Sequence, residues 1–176
     1  MARKLGRIGF AVLIYSIIFQ SVSLAQVTGV EKAEAMFIYN FSRLIEWPPE
    51  YRTGTFVIGI LGASDLFPEL VTYTTGKKVG FQDIQVKKFK TTDEIVKCHV
   101  LFISHAKSSS ITEVAGKIAN YSTLLISEKP GTIEIGAAIN FLIVNNKLQF
   151  ELKPENATRY NLKISQKLKE MAVTLY

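Results

Sequence analysis

Apolar positions along this chain switch repeatedly between a helical period and a strand period. Val30, Ala33, Phe37, Phe41 and Leu44 recur every three or four residues, the spacing of one helix face. Thr28 and Glu31 fit a capping box, so the helix is predicted to start at Thr28. Trp47-Pro48-Pro49 ends it, because proline disfavours helical geometry in the preceding residue. Phe56 to Leu61 is a near-continuous apolar run, as a strand buried on both faces requires. Gly62-Ala63-Ser64-Asp65 makes a turn into a short helix from Leu66 to Tyr73. Ile84 to Phe89 alternates imperfectly and predicts a strand nearer an edge. Val100 to Ile103 and Thr123 to Ile126 are further buried strands, separated by a helical face at Ile111, Val114 and Ile118. Thr91 with Glu94, and Ser110 with Glu113, repeat the capping-box spacing.

The last third of the chain changes character. Ile139, Phe141 and Ile143 alternate, as do Leu148, Phe150 and Leu152. Asn145-Asn146 lies between them, and asparagine tolerates the left-handed backbone of a two-residue hairpin turn. Pro154 to Tyr160 starts a short helix, and Leu168, Met171, Ala172 and Leu175 mark a final amphipathic one. Four β–α alternations predict a single α/β domain. Its mostly parallel sheet would be flanked by helices in a Rossmann-like three-layer arrangement. A C-terminal antiparallel hairpin and a closing helix would complete it.

The first residues follow a different rule. Arg3, Lys4 and Arg7 precede an apolar stretch from Ile8 to Phe19, and Ser23 and Ala25 place small side chains two apart. This is the layout of a cleavable export signal, with cleavage after Ala25. The stretch is short for a membrane span, which needs about 20 apolar residues. Residues 1–25 are thus expected to be removed, leaving a soluble domain over 26–176 outside the cytoplasm. Loss of those three cations lowers the formal charge from +6 to +3. The remaining lysines are scattered, with no basic run interleaved with aromatics, so nucleic-acid binding is not expected. The lone cysteine, Cys98, abuts the apolar run Val100 to Ile103 and is expected to be buried, with an intermolecular bond as the other reading.

Candidate chemistry is sparse. His99 and His105 have no second ligand at metal-site spacing, so no metal or cofactor is expected. A strand-end histidine hydrogen-bonded to backbone is the simpler account. Ser104, Ser108, Ser109 and Ser110 lack a nucleophile elbow and read as caps and solvated turns. Gly59-Ile60-Leu61-Gly62 lacks dinucleotide-binding spacing. Gly62, Ser64 and Asp65 nevertheless follow a strand, where open α/β sheets tend to bind ligands, and form a possible ligand loop. Asn40 lies on or beside the apolar helix face, either as a satisfied structural amide or as a partner contact. Trp47, the sole tryptophan, is either an interface anchor or a core-edge residue.

The ordered motifs resemble the YfiR-like family of periplasmic proteins. The resemblance rests on Lys32, Ala33, Met36-Phe37, Tyr39, Asn40, Phe41, Glu46, Trp47 and Pro48. It continues through Ile58 to Gly62 and Cys98 to Ser104, then Gly136, Ile139 and Phe141. It closes with Leu162, Ile164, Ser165 and Leu168, in a segment expected to be helical. The hairpin entry departs from the family pattern at Gly136-Ala137-Ala138, and the single Cys98 leaves no pairing for a disulfide within the chain. The resemblance implies a non-enzymatic regulator that binds the periplasmic portion of a membrane sensor such as a diguanylate cyclase. It also implies an outer-membrane lipoprotein as a second partner. Asn40, Glu46 and Trp47 are the expected partner-binding residues. A homodimer is compatible with the sequence, and a small-solute-binding accessory of a receptor or transporter is the alternative function.

Overall fold

The computed structural model describes residues 21–176, with side chains described from Gly29 onward. The expected export leader falls mainly on residues outside that range, and only the backbone of Ala25 is described. Helix α1 (Ser21–Arg43) leads into a two-residue strand β1 (Ile45–Glu46). Strand β2 (Phe56–Leu61), helix α2 (Leu66–Thr74), strands β3 (Lys78–Val79) and β4 (Gln82–Phe89) follow. Then come β5 (Val100–Ile103), α3 (Ile111–Lys117), β6 (Leu124–Ser127), α4 (Thr132–Ile135), β7 (Ile139–Val144) and β8 (Lys147–Leu152). The chain closes with α5 (Pro154–Thr158), β9 (Lys163–Ile164), α6 (Gln166–Met171) and β10 (Thr174–Leu175).

The main sheet has the order β10-β8-β7-β6-β5-β2-β4-β3. Strands β7, β6, β5, β2 and β4 run parallel, while β8 returns antiparallel to β7. This is the expected mostly parallel α/β sheet with its hairpin towards one edge. Crossovers run one way from β2 to β4 and the other way from β5 to β6. The topology therefore reverses between β2 and β5, which puts helices on both faces. In β2, Phe56, Ile58, Gly59, Ile60 and Leu61 are all buried, which is why its sequence shows no alternation.

Helix α1 is fastened to the sheet by an aromatic cluster. Phe41 lies 4.7 Å from Phe150 and 5.9 Å from Phe141, and Phe37 touches all three. Such pairs contribute about 0.5–1.5 kcal/mol each beyond area burial. The buried stripe of α1 is Glu34, Ala35, Ile38, Phe41 and Ser42. That is turned from the expected stripe, since Ala33, Phe37 and Leu44 are only half-buried. Two polar residues sit inside the stripe, and that disguised it.

Three other expectations are corrected. The helix does not start at Thr28 but runs through Thr28-Gly29, where the propensity penalty is only about 1 kcal/mol per residue. Neither Thr91 nor Ser110 makes a side-chain cap; Glu94 instead accepts from Lys90 N–H at 2.8 Å. The closing segment is not one helix. Lys163–Ile164 is extended and pairs with Ile45–Glu46, and Ser165 caps α6 by accepting from Leu168 N–H at 3.3 Å. Leu175 lies in β10 rather than on a helix face, because the backbone there pairs with β8.

The turn Asn145-Asn146 has φ of 50° and 59°, the left-handed pair that a two-residue hairpin demands. Asn146→Val should cost about 1–2 kcal/mol, the penalty of a branched side chain at such a φ, while Asn146→Gly should be neutral or stabilising. Urea melts of the two variants against the parent would read this, and equal midpoints would contradict it.

Candidate functional site

The N-terminal end of the sheet carries a cleft of about 400 Å³, lined by residues of α1, β1, the Trp47–Arg52 turn and the β3–β4 hairpin. Its floor is built around Trp47. That ring is 5% exposed, packs edge-on to Phe56 and His99, and donates from Nε1 to Ser42 C=O at 3.1 Å. Pro48 and Pro49 then turn the chain so that Tyr51 is buried and Arg52 folds back. Arg52 donates from Nε to Trp47 C=O at 2.6 Å and from a terminal nitrogen to Glu46 at 3.2 Å. Lys163 reaches the same Glu46 oxygen at 3.3 Å. The hydrogen bond from Lys163, then the charges of Lys163 and Arg52, hold the Glu46 carboxyl below the usual range. Both ion pairs are solvated, so they orient the rim more than they stabilise it.

His99 holds this end together from beneath. Its Nδ1 accepts from Val57 N–H at 3.0 Å, which makes Nε2 the protonated nitrogen, and Nε2 donates to Tyr51 C=O at 2.8 Å. The ring stacks on Phe56 at 4.1 Å. Burial, with the charge of Lys97 adding to it, lowers its pKa. His99 is therefore the backbone-bonded strand-end histidine expected from the sequence.

The structure brings Glu46 and Trp47 into one cleft. Asn40 lines a separate depression with Arg43, Leu44, Lys167 and Met171, and Arg43 belongs to both. Gly62, Ser64 and Asp65 lie at the opposite end of β2, roughly 17 Å away for six strand residues. There the space beside Gly62 is filled. Its φ is +97°, and an added Cβ would meet Ser104 Oγ and come within 2.7 Å of Lys107 Cγ. Ser64 is engaged by its own helix start, accepting from Leu66 N–H at 3.2 Å. Ser104 and Ser108 are buried rather than solvated: Ser104 follows β5 and packs beside Gly62, and Ser108 donates to His105 C=O at 2.6 Å. Cys98 is 1% exposed, and burial pushes its thiol up to about 12, so it is an inert core residue.

The sequence reading missed Phe81, Arg52 and Lys163 at the cleft. Phe81 had a legible signal: Gly80-Phe81 is a two-residue turn between short strands, with glycine first as such hairpins favour. Arg52 and Lys163 had none, because they meet Glu46 only through tertiary structure. Also missed was Glu34, 3% exposed on α1 at the far end of the sheet. Burial, reinforced by Glu128 and Glu31, pushes its carboxyl up to about 8.

Fold and cleft together define a class: a single α/β domain that carries a solvent-exposed aromatic and ionic cleft at its strand starts. Among the described residues, no helix is long and apolar enough to cross a membrane. Residues 31–173 match the sequence model of the family described as YfiR/HmsC-like, and the chain belongs to that family. No curated protein matches the chain significantly.

Glu34 binds its proton more tightly folded than unfolded, so its contribution is full below about pH 4.5 and is lost as pH rises through about 8. Glu34→Gln should therefore raise the melting temperature by several degrees near pH 8 and little near pH 5; an equal shift at both would refute this. His99 has the opposite sign. Its neutral folded form is favoured above about pH 6.5, and that advantage is lost as pH falls below it. His99→Ala should cost about 3 kcal/mol, since it strands Val57 N–H and Tyr51 C=O. The deficit measured by denaturant titration should narrow in acid.

Proposed function

We propose that this protein is a non-enzymatic periplasmic regulator that works by contact with the periplasmic portion of an inner-membrane sensor, such as a diguanylate cyclase. The observation that carries this reading is membership of the YfiR/HmsC-like family over residues 31–173, a family consistent with periplasmic control of cyclic-di-GMP signalling. The export layout of the first 25 residues supports the same compartment. Glu46, on the rim of the cleft, and Asn40, in the adjoining depression, offer an exposed carboxylate and a half-buried amide on one side of α1 and β1. Trp47 acts beneath them, fixing the turn that presents Glu46 and Arg52. An outer-membrane lipoprotein competing for this surface would relieve the regulation.

The test is affinity capture from solubilised envelope with the protein as bait. A membrane sensor should be recovered, and Glu46→Lys should reduce recovery at least tenfold through charge reversal at a rim position that folding does not require. Recovery of no sensor or lipoprotein across a range of salt would overturn the reading. A metabolite that raises the melting temperature, with no protein recovered, would favour a solute-binding accessory in its place.

A further inference from the structure

Phe81 is 98% exposed, an unusual state for a phenylalanine in a structured turn. It is not there through slackness of the chain. Lys78 pairs with Asp83 and Val79 with Gln82, so Gly80 and Phe81 are the two loop residues of a closed hairpin. Gly80 takes φ of +58°, which a side chain would resist. Val79 and Gln82 are buried at the base, and Gln82 donates to Thr53 C=O at 3.0 Å. The hairpin is thus anchored and holds one large apolar ring out in solvent.

The surroundings of that ring are cationic. Arg43 and Arg52 line the cleft beside it, Lys77 and Lys78 lead into the hairpin, and Lys163 stands over Glu46. Glu46 and Asp83 are the acids paired with this group, leaving an excess of three positive charges. The Lys77 ammonium lies 3.2 Å from the centre of the Tyr73 ring and 5.1 Å from that of Tyr39. At the other end of the strands stand Asp65, Glu31 and Glu128. The strand-start end is therefore basic around an aromatic wedge, whereas at the strand ends acids and lysines such as Lys90, Lys107 and Lys129 are mixed. Among the residues lining the cleft, Phe81 alone is an exposed large apolar side chain. A single wedge within a cationic ring matches an anionic bilayer surface, where the ring enters the headgroup boundary and the cations meet phosphates.

We propose that the N-terminal end of the sheet docks on anionic phospholipid, with Phe81 inserted and Arg43, Lys77 and Lys78 on the headgroups. This inference does not rest on the receptor reading: the lipid-facing residues adjoin Glu46 and Asn40, and vesicle binding is expected with no receptor present. The test is co-sedimentation with vesicles alone, using protein released by osmotic shock after expression of the full chain. Binding should appear with phosphatidylcholine vesicles containing about one third phosphatidylglycerol, be absent with phosphatidylcholine alone, and weaken as salt shortens the screening length. Phe81→Ser should melt like the parent, because the ring is free, yet bind about tenfold more weakly. K77E/K78E should abolish binding. Phe81→Trp should show a blue shift on anionic vesicles, against the constant signal of buried Trp47. No binding to anionic vesicles, or binding unchanged by Phe81→Ser, would overturn the proposal. So would retention on polyglutamate without any on vesicles, which would assign the face to an acidic protein partner.

Discussion

The N-terminal end of the sheet depends on the two hydrogen bonds of one neutral imidazole. Val57 N–H, which opens the ladder of β2, and Tyr51 C=O, which closes the Pro-Pro turn, are both satisfied by His99. Neither partner can be lost without burying an unpaired backbone group. The tautomer is forced, because Nδ1 must accept. From His99 the constraint spreads outwards. Tyr51 is fixed, and its hydroxyl accepts from Ser122 N–H at 2.9 Å just before β6. Phe56 and Trp47 pack on the ring, Arg52 is drawn back to Trp47 C=O, and Glu46 is set between two cations. The cleft is thus a consequence of how three strand starts and one turn are tied.

The other end is governed by packing rather than by a polar hub. Helix α1 runs antiparallel to the central strands, so its C-terminal turn meets the cleft while Glu31 and Glu34 lie over the strand ends. Phe37 and Phe41 clamp it midway to Phe141 and Phe150 of the hairpin. Side chains at the same strand register share a face, so Gly62, Ser104 and Glu128 all lie on the α1 side just past β2, β5 and β6. Among the described residues, three buried side-chain atoms have no hydrogen-bond partner: Ser104 Oγ and one oxygen of Glu31 at this end, and Gln149 Oε1 in β8. That rim lies at the topological switch point, where such folds often leave a crevice. Here Lys107 and Ser104 close it over Gly62.

What was legible in the sequence was whatever a strand or turn shows by itself. The apolar runs of β2, β5 and β6 and the Asn145-Asn146 turn declared themselves because burial on two faces and a left-handed backbone each admit few residues. The face of α1 was misjudged because Glu34 and Ser42 are polar yet buried; Ser42 hides by donating to Ile38 C=O at 2.8 Å. The capping boxes misled because Thr-x-x-Glu spacing satisfies helix starts only when the backbone turns there, and in α1 it does not. The split of the closing segment depends on a distant partner, Ile45–Glu46, whose pairing no local pattern encodes. Of the candidate residues, Glu46 and Trp47 lie at one cleft, and Asn40 lies in a separate depression that shares Arg43 with it. The ligand loop was placed by a sound positional rule but is occupied by its own chain.

A parallel sheet has two unlike ends, and this domain has given them unlike chemistry. Strand starts are reached by the returning ends of α1 and α2 and by the β3–β4 hairpin, so cations near helix C-termini gather there without conflict with the helix dipoles. Arg43 stands in the last turn of α1, and Lys77 and Lys78 follow α2. Strand ends face the opening of α2, where Asp65 precedes the first turn with the favourable sign. The cations gathered at the strand starts are therefore no separate decoration but follow the helix directions that the crossovers impose. A surface that must meet one side of its surroundings in a fixed orientation gains most from such a layout, since the same fold that builds the cleft also aims it.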